Sequence, residues 1–315
     1  MSTLTLPTIA ISLGDINGVG LEIALKSHHK IRTLCHPIYL ISETLLHQGA
    51  RLLNTTVPED FAISGAFKNI DIEVAKVSKE SGAFSYASFH QALDLCDTSK
   101  AQAVVTLPIH KEAWSLAGID YKGHTDMLRD RYQKNAIMML GCEKLYVALF
   151  TEHIPLKEVI NHIKSSEITP FLIALHKELQ CNNIGVLGVN PHSGDNGVLG
   201  HEESEIIAAI AKANAYLKKE VFHGPLVPDI AFTPHAREHT QHFVAMYHDQ
   251  GLGPLKALYF DESINISLNL PIIRTSVDHG TAFDIAYKGN AKTLSYINAI
   301  TAARHFITQK GHHNY

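Results

Sequence analysis

The sequence predicts an α/β fold, a mostly parallel sheet with helices on both faces, and three observations carry that prediction. Short β-branched or aliphatic runs alternate with helical patterns almost throughout the 315 residues. Several apolar runs end in glycine-bearing turns that open helices, the layout of βαβ units. No low-complexity linker, charge block or repeat interrupts the alternation, so two lobes are expected with the chain crossing between them more than once. The expected division is residues 1–118 plus 275–315 for one lobe and 119–274 for the other.

Taken in order, TIAISLG (8–14), PIYLIS (37–42), IDIEVAKV (70–77) and AVVTLP (103–108) read as strands. Between them Gly20–Ser27, Glu43–Leu53 and Ser81–Asp97 carry apolar residues at helical spacing. The middle repeats the theme with KLYVALFTEH (144–153), NIGVLGVN (183–190) and FVAMYH (243–248). Its clearest helix is Glu202–Glu220, with acids in the first turn and lysines in the last, as the helix dipole favours. The last third gives a strand INISLNLP (264–271) and a closing helix, Ala291–Gln309.

Composition excludes several classes. At 45% hydrophobic and 18% charged residues the chain has the balance of a globular enzyme, not of a disordered segment. A net charge of −4 gives no basic field for nucleic acid. Cys35, Cys96, Cys142 and Cys181 form no CxxC pair, which excludes a zinc ribbon and reads as buried free thiols in a reducing compartment. No apolar run reaches membrane-spanning length, and the N-terminus reads as a strand rather than a signal peptide. The cytoplasm is the expected location. Most of the 21 histidines are expected to be ordinary, with His28, His29, His312 and His313 solvated.

The motifs sit at strand ends. In VAMYHDQGLGPLK an apolar run ends in His248 and Asp249, an imidazole and a carboxylate side by side before a glycine turn. Two further strands run into turns carrying His153 and His192, so three histidines become candidate ligands for a divalent ion. Asp249 suits either a further ligand or a group that orients His248. Gly14 to Gly20, GDINGVG, follows the first strand and lets backbone amides approach an anion, or simply makes a tight turn. In GHTD, His124 and Thr125 suit a polar substrate, or Thr125 or Asp126 simply caps the helix that follows. Lys256, Asn265 and Arg274 fall nine residues apart, and the two cations suit a phosphate or carboxylate, or an ordinary solvated surface. SVDHGTAFDIA (276–286) surrounds a glycine with polar groups, useful for a ribose or adenine; capping explains Thr281 equally well.

Together these segments resemble the 4-hydroxythreonine-4-phosphate dehydrogenase family of vitamin B6 biosynthesis. GDINGVGLEIALK, GHTDML, NPHSGDNGVLGHEE, YHDQGLGPLK and NISLNLPIIRTSVDHGTAFDIA match its blocks, in family order, from residue 12 to about 290. HGTAFDIAYKGNA also resembles the coenzyme loop of isocitrate and isopropylmalate dehydrogenases. The resemblance implies a two-lobed α/β/α sandwich of the isocitrate/isopropylmalate dehydrogenase kind, and a homodimer whose active site lies between lobes and at the subunit interface. It implies NAD or NADP as coenzyme and a divalent metal (Zn, Mg or Co) on His153, His192 and His248, with ligands from both subunits. Substrate contacts fall on His124, Thr125, Lys256, Asn265 and Arg274. Lys256, Asp249 and Asp229 are the catalytic candidates, with Lys256, Asp249 or a metal-bound water as the general base, and His279, Gly280, Thr281, Ala282 and Asp284 the coenzyme contacts. Ile16-Asn17, Asp126, Ile230 and Gly253-Pro254 depart from the family pattern.

The expected reaction is oxidation of 4-phosphohydroxy-L-threonine to 2-amino-3-oxo-4-phosphooxybutanoate, a β-keto acid that decarboxylates to 3-amino-2-oxopropyl phosphate. The competing readings are a dehydrogenase of threonate 4-phosphate, a metal-dependent phosphatase or hydrolase, and a non-catalytic metal- or metabolite-binding protein.

Overall fold

The computed structural model describes residues 6–311. The chain divides into two compact units, Met1–Lys134 with Ile264–Ile266 and Leu270–Tyr315, and Asn135–Ser263 with Ser267–Asn269. The first begins with β1 (Thr8–Ser12), α1 (Gly20–Ile31), β2 (His36–Leu40), α2 (Glu43–Leu52) and β3 (Ile63–Ser64). It continues through α3 (Lys79–Asp97), β4 (Ala103–Thr106), α4 (Lys111–Leu116) and α5 (His124–Tyr132). The second opens with a hairpin, β5 (Ile137–Cys142) and β6 (Leu145–Leu149), followed by α6 (Leu156–His162), α7 (Ser165–Leu179) and β7 (Ile184–Leu187). Then come α8 (Glu203–Leu217), β8 (Phe222–Leu226), α9 (Pro228–Ala231), α10 (Pro234–His239), β9 (His242–Ala245) and α11 (His248–Tyr259). The unit boundary falls within β10 (Ile264–Leu268), and the first unit ends with β11 (Arg274–Val277) and α12 (Leu294–Gly311).

In the first unit the strand order is β3-β2-β1-β4-β11, all parallel. Ile9, Ile11, Val104 and Val105 are fully buried there, as are Phe89 of α3 and Trp114 of α4. Each such side chain contributes about 1.5–3 kcal/mol by leaving water. Ser42 and Ser78 cap α2 and α3 by accepting from the amides of Leu45 and Ser81, each worth about 1 kcal/mol. The second unit has the order β5-β6-β9-β7-β8, in which only the β5–β6 hairpin is antiparallel. Its core gathers Leu140, Val147, Leu187, Phe243, Leu252 and Leu255. The expected parallel α/β architecture is what the chain adopts, and the hairpin is its one antiparallel pairing among these strands.

Several expectations are corrected. Residues 70–77 form no strand, and their place in the order is taken by Ile63–Ser64. The segment spends its hydrogen bonds on Asn17 instead. The Asn17 side chain accepts from Glu73 N (2.9 Å) and donates to the Lys76 carbonyl (2.8 Å), and Ala75 N donates to the Asn17 carbonyl (2.9 Å). Only Ile72 of its four aliphatic residues is buried, too little for a sheet strand.

His28 is fully buried rather than solvated, its ring nitrogens meeting the Tyr39 hydroxyl (3.0 Å) and Asp60 (3.1 Å). His312 and His313 lie outside the described residues. The first unit runs on to Lys134, past the expected limit at 118. α5 belongs with it because Met127 and Leu128 are buried and Arg131 binds Asp94 and Asp97 near the end of α3. All four cysteines are free thiols, Cys35 and Cys142 buried, Cys96 and Cys181 half-buried. Among the described residues no helix is long and apolar enough to cross a membrane.

Candidate active site

The histidines of the second unit are placed by its parallel strands. β6 and β9 run side by side, and their carboxyl ends are the edge where ligands bind in open α/β sheets. Beyond them Phe150 N donates to the Ala245 carbonyl (2.9 Å), and Thr151 Oγ1 donates to the Met246 carbonyl (2.6 Å). These bonds carry the two exits together, and the rings of His153 and His248 stand with centroids 5.6 Å apart.

The YHDQG motif divides its labour. His248 and Asp249 open α11 toward solvent, with His248 Nδ1 2.7 Å from Asp249 Oδ1. A carboxylate on Nδ1 orients the ring and turns Nε2 to the outside. Gln250 turns inward: its Oε1 accepts from Met246 N (2.7 Å) and its Nε2 donates to the Gly188 carbonyl (2.6 Å). Gly251 lets α11 lie on the sheet, since a Cβ there would stand 2.4 Å from Val147 Cγ1 and 2.9 Å from Ala245 Cβ.

His192 sits differently. After β7 the backbone of His192, Ser193, Gly194, Asp195 and Asn196 is left-handed, with φ between 43° and 79°. Four of these five residues carry a Cβ, and each such residue costs on the order of 1 kcal/mol or more. The clamp that holds them is buried Glu203, whose carboxylate accepts from Val189 N (2.9 Å), Asn190 N (2.7 Å) and Asn190 Nδ2 (2.9 Å). Glu202 accepts from Asn190 Nδ2 as well (2.7 Å), and a bond from its own amide first, with this one second, holds its carboxyl below the usual range. His192 is exposed on this loop. Among the described residues of the protomer, the three histidines do not bring their ligand atoms within 4.8 Å of one another. The structure thus shows a pair, His153 with His248, and His192 apart from it. Asp229 is exposed at the start of α9. Lys256 lies eight residues after His248 in α11, about 12 Å along the axis, with Nζ over the Phe260 ring.

The first unit holds the remaining candidates. Arg274, at the start of β11, is buried and donates to Thr106 Oγ1 of β4 (2.7 Å). Burial pushes its guanidinium below its ordinary range, a cost that a bound anion would offset. The His124 ring stands edge-on to Phe89 and Trp114, and its Nε2 is a buried atom with no hydrogen-bond partner. Burial first, and the charge of Arg274 second, hold that imidazole neutral well below its usual range. Thr125 does not cap α5; the turn is made by Asp126, which accepts from Lys122 N (3.1 Å). The Oδ1 atom of Asn265 is likewise buried without a partner. Unpartnered polar atoms at His124 and Asn265 are what a polar ligand would complete.

The glycines after β1 are packing devices, not an anion cradle. A Cβ on Gly14 (φ +67°) or Gly20 would stand 2.1 Å from the Pro108 or Leu13 carbonyl oxygen. The amides of Asn17, Gly18 and Val19 are taken by Asp15 Oδ1, the Asp15 carbonyl and the Thr281 carbonyl. Asp15 itself is fully buried, accepts from Ser81 Oγ (3.2 Å), and is shifted up by that burial. Thr281 and Ala282 begin the turn that leads to Phe283, which stacks on His110 at 5.2 Å. His279, Gly280 and Asp284 lie on the same loop, and Gly280 has open space where a Cβ would be. Sequence reasoning assigned no site role to Glu203, Gln250, Thr106 or His110. Glu203 stood in a quoted motif, but only its contacts with Val189 and Asn190 show what it does.

The family model described as pyridoxal phosphate biosynthetic protein PdxA matches residues 33–303. The chain belongs to the PdxA family. A 4-hydroxythreonine-4-phosphate dehydrogenase of Sulfurimonas denitrificans is 59% identical over 295 residues, covering 94% of this chain and 96% of the relative. One from Helicobacter pylori is 49% identical, covering 93% and 97%. Among solved structures, a 4-hydroxythreonine-4-phosphate dehydrogenase of Klebsiella pneumoniae superposes with a TM-score of 0.83 at 31% identity, over 97% of this chain and 99% of that one. A terephthalate dihydrodiol dehydrogenase of Burkholderia xenovorans, TM-score 0.67 at 22% identity, shares the fold. PdxA membership makes the chain an oxidoreductase of pyridoxal phosphate biosynthesis.

Proposed function

We propose that this PdxA chain oxidises 4-phosphohydroxy-L-threonine at C3 with NAD or NADP, and that the keto acid formed loses CO2 to give 3-amino-2-oxopropyl phosphate. The observation that carries the reading is the His153–His248 pair at adjacent strand ends, with the Asp249 carboxylate on His248 Nδ1. A divalent cation fits that donor set, and when bound it supplies the Lewis acidity that makes a secondary alcohol acidic. His192 joins as a ligand from the loop that Glu203 clamps. A second copy of the chain is the source of the missing contact. Large apolar side chains flank both histidine positions in the open, Ile154, Leu156 and Ile160 after His153, Val198 and Leu199 after His192. A homodimer would cover them.

The chain's own groups divide the remaining tasks. Arg274 holds the anionic phosphate, and neutral His124 with Asn265 hydrogen-bonds the polar groups of the substrate. Asp249 orients His248 rather than moving a proton. Lys256 is the proposed base for the hydroxyl proton. Thr125 and Asp229 complete the substrate and metal surroundings, and the 279–284 loop receives the coenzyme.

Turnover of 4-phosphohydroxy-L-threonine with each coenzyme, on metal-defined protein before and after chelation, tests this. Nicotinamide reduction that disappears on chelation and returns with Zn2+, Mg2+ or Co2+ is the expected result. Phosphate release without nicotinamide reduction would instead make the chain a phosphatase, and turnover that survives verified metal removal would eliminate the cation.

A further inference from the structure

Outside that site, α10 carries three metal-type ligands on one exposed face. His235, Glu238 and His239 occupy positions i, i+3 and i+4, which share one side of a helix. Their ligand atoms lie within 4.8 Å of one another, and the trio is the one such group among the described residues. The two rings are 5.0 Å apart at 87°, and His235 Nδ1 is 3.7 Å from Glu238 Oε2. Around a tetrahedral ion with bonds of about 2.0–2.2 Å, ligand atoms stand roughly 3.5 Å apart. Side-chain rotation alone closes that difference, because His235 and Glu238 are 84% and 71% exposed.

The backbone beneath is already fixed. Thr233 caps α10 by accepting from Ala236 N. Arg237 points to the opposite side, donating to the Phe232 carbonyl (3.0 Å) and the Tyr259 hydroxyl. Asn183, just ahead of β7, donates to the His239 carbonyl. The helix is therefore held by its other face while the three ligands look outward. It also lies before β9, whereas His248 follows β9, and at about 3.3 Å per residue that strand alone spans roughly 13 Å. The trio is on the amino-terminal edge of the sheet, away from the His153–His248 pair.

We propose that His235, Glu238 and His239 form a second, solvent-open binding site for a divalent transition metal. Two imidazoles and one carboxylate select Zn2+, Ni2+ or Cu2+ over Mg2+ and Ca2+, and leave coordination positions to water. Occupancy staples the two ends of α10 together and so stabilises the segment from Pro228 to Thr240. The site does not take part in the redox reaction.

Metal-stripped full-length protein is dialysed against Zn2+ and, separately, Ni2+, and bound metal per chain is counted. The His235→Ala/His239→Ala variant binds one ion fewer per chain than the parent, keeps its far-ultraviolet circular dichroism, and retains dehydrogenase turnover. Glu238→Gln keeps the site with affinity weakened on the order of tenfold. Equal metal content in parent and double variant overturns the proposal. So does loss of that ion only in a His312→Ala/His313→Ala control, which would assign it to the C-terminal tail.

Discussion

The turn that presents His248 and the loop that presents His192 reach solvent by opposite routes. His248 opens a regular helix over close-packed strands: Gly251 fits it to Val147 and Ala245, and Gln250 fastens the turn below. His192 rides five consecutive left-handed residues, a conformation that Gly, Asn, Asp and His tolerate singly but that is costly in series, held by the Glu203 carboxylate. A helix end needs its ligand and little else, while the loop exists only as long as its clamp does. Substitutions in the first region therefore remove chemistry, and those in the second remove structure.

The largest expected effect is chemical. His248→Ala lowers kcat/KM on the order of 10³-fold, about 4 kcal/mol of transition-state stabilisation, with the melting temperature unchanged because that ring is 37% exposed. A fall of less than about tenfold, or 1.4 kcal/mol, would remove His248 from the proposed metal site. Glu203→Ala sets the opposite pattern, leaving the donors of Val189 and Asn190 without their acceptor. Denaturant titration should show a loss of about 3 kcal/mol, and activity falls with the loop.

A matched pair of glycines sharpens the contrast further. Gly194→Ala forces a Cβ onto φ +79° and to 2.7 Å from Glu203 Oε2, costing about 1–3 kcal/mol. Gly253→Ala, in α11 with nothing beyond its chain neighbours within 4 Å of its Cβ, sets a helix-propensity gain of about 0.5–1 kcal/mol against the crowding of that Cβ by Pro254, and so costs less than Gly194→Ala. A larger loss at Gly253 than at Gly194 would dissolve the comparison.

The smallest effect is acid loosening of the loop. The folded value of Glu202 lies below 4.5, its ordinary value. Its contribution is therefore fully present above 4.5 and is lost as pH falls through the lower folded value. Limited proteolysis should cut residues 189–200 faster on acidification through that window. In Glu202→Gln the dependence disappears.

The strands were legible because buried runs such as IAIS and AVVT have a signature that local chemistry alone sets. Residues 70–77 carried the same aliphatic composition and misled, because Asn17 claims their backbone through contacts about 56 residues away in sequence. His28 misled for a related reason: Tyr39 and Asp60, its partners, are invisible from its polar neighbours. At the site, strand-end histidines could be found from sequence, and two of them stand side by side. The Glu203 clamp could not, since a glutamate at a helix start reads as a dipole partner until its carboxylate is seen turned back on Val189. The glycines after β1 were open to two readings, and the carbonyls of Leu13 and Pro108 decide for the tight turn.

Gln250 spans the two regions, one end on the Met246 amide and the other on the Gly188 carbonyl that leads into the His192 loop. The presenting segments are thus tied to one another through a single carboxamide. Shortening that linkage by one methylene, as in Gln250→Asn, would let the two move independently while every proposed metal-binding side chain stayed in the chain.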